Sequence, residues 1–177
     1  MMKGFSVKNI VFSALFLALG FILPFFTMQI PAFGSMLLPM HIPVIVCGFV
    51  CGAPFGLIVG FILPLLRSLI FTMPPMFPTA IAMAFELAAY GVISGYLYHR
   101  SNKKVFDIYF SLIISMVGGR IIWGLISAVL YGVSGQVFGL AVFIAGAFSN
   151  AVPGIILQLT LIPVLIMIIQ KAKLIEE

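Results

Sequence analysis

Residues 106–131 read FDIYFSLIISMVGGRIIWGLISAVLY, and the only charges among them are Asp107, near the start, and Arg120, in the interior. A helix rising ~1.5 Å per residue needs about 20 apolar residues to cross a hydrocarbon core of ~30 Å, so this stretch can span a bilayer. A barrel strand would alternate polar and apolar positions over about ten residues, whereas here the apolar run is continuous. The stretch is therefore expected to be a transmembrane helix that carries one guanidinium inside the membrane.

The rest of the chain repeats the pattern. Of its 177 residues, 63% are hydrophobic and 7% charged, and the mean hydropathy is +1.30, values that exclude a soluble globular domain and a disordered tail. Breakers and polar residues divide the chain into six spans, at 7–24, 41–52, 55–71, 78–99, 106–131 and 140–169. The second is short, and is expected to begin earlier, near Leu37, or to be tilted or broken. The expectation is an all-α integral membrane protein, with 1–177 forming a single six-helix transmembrane substrate-binding domain and no room for a soluble one. The first run follows Lys3 and Lys8 as a secretory signal would, but it extends to Pro24 and further spans come after it, so it counts as a helix. Cys47 and Cys51 have no histidine at metal-ligand spacing and read as small packing residues; no metal or cofactor is expected.

The formal charge of +5 acquires meaning from its distribution. An amino terminus in the cytoplasm puts Lys3, Lys8, Arg100, Lys103, Lys104, Lys171 and Lys173 on that side. The outer loops, 25–40, 72–77 and 132–139, then carry no charged residue. The positive-inside rule strongly favours this orientation, with both termini cytoplasmic. Asp107, Glu176 and Glu177 fall near the same side, which leaves Arg67, Arg120 and Glu86 within spans. A charge at the bilayer centre costs at least ~2.5–3.5 kcal/mol on insertion scales, so these three should face protein or water.

Following the orientation along each span puts Arg67, Glu86 and Asn150 in outer halves, Arg120 near the middle and His41 at the outer mouth. Helical spacing adds Tyr90 and Met83 to the face of Glu86, Trp123, Met116 and Ser127 to that of Arg120, and Gln158 to that of Asn150. These residues form the candidate substrate site, an aromatic and amide-lined cavity opening outward. Two readings stay open. Glu86 neutralises one arginine while the other bonds backbone carbonyls or snorkels, and Asn150 and Gln158 join helices. Alternatively, one cation is left for the carboxylate or phosphate of a ligand, which a planar guanidinium recognises with two parallel hydrogen bonds. His41 reads as an interfacial cap ahead of a ligand contact, and Trp123 equally as core packing or as a stacking wall.

Gly48, Gly52, Gly56 and Gly60 recur every four positions and are expected to let helix backbones approach closely. The proline-rich segment 73–78 cannot continue a helix and reads equally as a lid or a connector, while Gly34, Ser35 and Met36 could close over a ligand. No phosphate-binding loop is present, so the chain cannot drive uphill transport by its own ATP hydrolysis. No catalytic constellation and no internal repeat is evident. An intramembrane enzyme using Glu86 and His41 as acid and base is disfavoured, because the two sit at depths over one helical turn apart and no nucleophile stands beside them. An assembly subunit whose polar residues merely join helices is a third possibility.

Taken together, Ala14-Leu-Phe-Leu-Ala18, Leu38-Pro-Met-His-Ile-Pro-Val, Gly48-Phe-Val-Cys-Gly52, Pro64-Leu-Leu-Arg67-Ser and Phe77-Pro-Thr-Ala-Ile-Ala-Met-Ala-Phe-Glu86 resemble the substrate-binding S component of an energy-coupling factor vitamin transporter, over essentially the whole chain. The resemblance implies a multi-pass protein of a prokaryotic plasma membrane that binds a vitamin from outside, with its outer loops as a lid. It implies partnership with a transmembrane coupling subunit and two cytosolic ATPases, toppling in the membrane to release substrate. Ala14 and Ala18 match the family's contact motif for the coupling subunit. Similar chains are often assigned to pantothenate uptake. A surplus cation suits that carboxylate better than cationic thiamine, with riboflavin or folate as alternatives that could stack on Trp123 and Tyr90.

Overall fold

A computed structural model describes residues 6–28 and 37–172, and no strand occurs among them. Gly34, Ser35 and Met36, together with Lys3, Lys173, Glu176 and Glu177, lie outside the described residues. The helices are α1 (Val7–Met28), α2 (His41–Cys51), α3 (Ala53–Phe71), α4 (Ile81–Arg100, entered through a π-helical turn at Met76–Ala80), α5 (Val105–Val133), α6 (Leu140–Ile144) and α7 (Val152–Lys171). Five apolar segments, at 7–26, 53–71, 76–100, 105–133 and 140–171, are long enough to cross a bilayer; α2 is shorter.

Three boundaries differ from the sequence reading. Pro24 lies inside α1, which continues to Met28, because in an apolar surrounding other donors can replace the amide that proline lacks. The last span is interrupted. After α6 a π-helical turn, Ala145–Ser149, leads into α7, whose Pro153 occupies the first turn, where a missing amide costs nothing. Helix α2 does not begin early: Leu38 takes a left-handed conformation and its carbonyl accepts from the His41 amide, 3.0 Å away, to close the entry turn. All 11 residues of α2 are buried. At ~1.5 Å per residue it reaches only about 16 Å, half of a bilayer core. Protein encloses it, so it does not have to match the membrane by itself.

The glycine series packs as expected, around α4. A Cβ on Gly56 would meet the Gly91 carbonyl oxygen at 2.5 Å, and Gly60 lies as tightly on the backbone of Leu87. Gly52, with φ +90°, makes the turn from α2 into α3 and abuts Gly95. Small residues thus draw α3 and α4 into backbone contact.

Polar links tie one end of the bundle together. The Gln170 side-chain amide of α7 donates to the Tyr98 hydroxyl (2.6 Å) and to the Lys103 carbonyl (2.9 Å). His99 Nε2 lies 3.0 Å from the Phe49 carbonyl oxygen, next to the turn from α2 into α3. Arg100, Lys103, Lys104 and Lys171 therefore gather at the same end. The segments 72–75 and 134–139, which carry no charge, join helices at the other.

Candidate functional site

Helix α4 presents Glu86 and, one turn later, Tyr90 to the interior. Across from them Gly119 of α5 lies against the Tyr90 ring, and a Cβ there would come within 2.9 Å of it. That close approach brings the next residue, Arg120, to Glu86: Nη1 stands 2.9 Å from Oε1. His41, the first residue of α2, places Nε2 at 3.5 Å from the same carboxylate oxygen and sets its ring edge-on to Tyr90, 5.3 Å between centroids. Three helices thus converge on one oxygen atom. His41 is 1% exposed, Glu86 2% and Arg120 7%.

The hydrogen bonding of this cluster is incomplete. Among the described residues, Arg120 Nη2, both ring nitrogens of His41 and Glu86 Oε1 are buried without an aligned hydrogen-bond partner. The contact of Arg120 with Glu86 is an ion pair of correct distance without hydrogen-bond alignment. Buried polar groups left in this condition are costly, whereas a polar ligand or water placed among them would satisfy several at once. Gln158 of α7 is also buried, and both of its amide atoms lack a partner among the described residues.

The other expected residues are distributed differently. Arg67 of α3 is held by α1: Nη1 donates to the Phe21 carbonyl at 2.7 Å, and its guanidinium carbon sits 5.0 and 5.3 Å over the rings of Phe25 and Phe71. Glu86 thus pairs with Arg120 while a carbonyl and two rings engage Arg67, which in this respect is the first of the two arrangements that the sequence left open. His41 is corrected, from an interfacial cap to a buried member of the cluster. Because α2 is short and enclosed, its first residue lies well inside the bundle, and the depth difference expected between His41 and Glu86 disappears. Asn150 is exposed at the kink before α7, where its backbone N–H donates to the Ala145 carbonyl at 2.9 Å. Trp123 stacks on Phe143, 6.2 Å between centroids, and meets Phe138 edge-on at 5.7 Å. The sequence reading missed Phe25 and Phe71; the position of Phe71 one turn beyond Arg67 on the same helix was the available signal, and the sequence held none for Phe25.

Ala14 and Ala18 are exposed on α1, in a stripe with Ile10, Val11, Leu15 and Ile22 that no other described helix covers.

Apolar helices of crossing length around a buried ionic cluster define a multi-pass membrane protein. The family described as ECF transporter, substrate-specific component, matches residues 8–166. The chain belongs to that family, and so is a transporter subunit rather than an enzyme, serving a small-molecule substrate together with a membrane-embedded energy-coupling module. No curated protein and no solved structure matches it.

Proposed function

We propose that this subunit binds a small anionic vitamin, pantothenate by preference, from the outer side of a prokaryotic plasma membrane, with both termini in the cytoplasm. It then passes the vitamin on through a transmembrane coupling subunit driven by two cytosolic ATPases. The observation that carries this reading is the buried cluster of Glu86, Arg120 and His41, with Arg120 Nη2 and His41 Nδ1 lacking partners among the described residues. A carboxylate suits the open edge of the guanidinium, and the hydroxyl and amide groups of pantothenate suit the imidazole. Flat vitamins such as riboflavin or folate are disfavoured, because Tyr90 is packed against Gly119 and Trp123 is already stacked. The orientation is supported by the collection of basic residues at one end.

The test is a binding titration of the purified protein against a vitamin panel. Submicromolar affinity for pantothenate without turnover is expected, and preference for a flat or cationic vitamin would refute the assignment. The exposed Ala14 and Ala18 are the proposed contact for the coupling subunit. Ala14→Trp is expected to abolish uptake in cells carrying the whole transporter while leaving affinity within twofold; loss of binding would instead assign α1 a folding role.

A further inference from the structure

Resting on that reading of the site, we propose that an anionic ligand and a proton are bound together: the anion takes Arg120 from Glu86, and His41 accepts a proton from water to become the counter-ion of Glu86. Glu86 Oε1 is the shared atom, 2.9 Å from Arg120 and 3.5 Å from His41. In the empty site one carboxylate and one guanidinium sum to zero. A ligand carboxylate arriving alone would leave a net negative charge among side chains almost wholly buried, which is strongly unfavourable. Protonation of the imidazole restores neutrality, and Nε2 already faces the carboxylate that needs the charge. No covalent bond of the ligand changes; one proton moves from solvent to a ring nitrogen.

No other described group is placed for this task. Facing His41 are Glu86 and Tyr90 from α4 and Arg120 from α5. Of the remaining helices packed on α2, α1 and α7 carry Lys8 and Lys171 in their terminal turns at the basic end, and α3 carries Arg67, which is turned to α1. His41, with Nε2 3.5 Å from Glu86 Oε1, is therefore the described residue placed to take up the proton.

The sign follows from linkage. The liganded state holds one more proton than the empty one, so affinity falls as pH rises, by up to about tenfold per unit. A ligand carboxylate of ordinary acidity, near pH 4, does not itself titrate in this range. The experiment is calorimetric titration of the full chain in detergent with the carboxylate vitamins of the panel, pantothenate first. It is run at pH 6, 7 and 8 in two buffers of different ionisation enthalpy. Uptake of close to one proton per ligand, with weakening from pH 6 to pH 8, is expected. His41→Gln should abolish both. Glu86→Gln should bind without pH dependence and at least as tightly at pH 8 as the wild type, because Arg120 is then free of its competitor. Tight binding with no proton uptake, or proton uptake that persists in His41→Gln, overturns the proposal while leaving the vitamin reading intact. Binding only of an uncharged vitamin, or of none, overturns both.

Discussion

Arg67 and Arg120 are the same side chain buried in one bundle, yet the groups that hold them differ in kind. Arg67 is wrapped by a main-chain carbonyl and two phenyl rings, all from the helix ends it joins. Arg120 shares one carboxylate oxygen with a histidine and keeps Nη2 without a partner among the described residues. The contrast teaches that a buried charge is not in itself a binding site. A guanidinium engaged by carbonyl and ring faces fixes helices, whereas one held by a second ionisable group can exchange that group for a ligand.

The comparison breaks most easily at Arg120. Arg120→Ala leaves Glu86 buried without its cation, at a cost of about 3–5 kcal/mol, and is expected to lower vitamin affinity at least a hundredfold by calorimetry. Arg67→Ala loses a charge-assisted hydrogen bond and the ring contacts, about 2 kcal/mol of stability by thermal unfolding in detergent, with affinity changed less than threefold. Arg67→Lys keeps the charge but not the planar fork that lies over the rings, and should lose about 1 kcal/mol of stability. Phe25→Ala removes one ring from beneath the guanidinium and should cost about 0.5–1 kcal/mol. A larger effect of the Arg67 changes on affinity than on stability would merge the two arginines into one site.

The membrane class and most helix positions were legible because hydrocarbon imposes length and apolarity directly on the sequence. The glycine series was legible too, since glycines four apart put a strip of bare backbone on one helix face, where a second helix can pack closely. The partition of the charges was not. Charge and depth singled out Arg67, Glu86 and Arg120, but which arginine meets the glutamate depends on helix rotation, here fixed by Gly119 against Tyr90. His41 was misplaced because a rule of one helix per bilayer thickness fails for α2, which lies wholly inside protein. Phe25 fell in an outer loop and Phe71 at the end of a span in the sequence reading, and only the fold puts both rings over one guanidinium.

The most direct test of the division between the two arginines is a side-by-side titration of the wild type, Arg120→Ala and Arg67→Ala with the vitamin that binds best, each variant first shown to be folded. The expected result is a loss of at least a hundredfold for Arg120→Ala and less than threefold for Arg67→Ala. Equal losses in both variants, or the larger loss at Arg67, would contradict it.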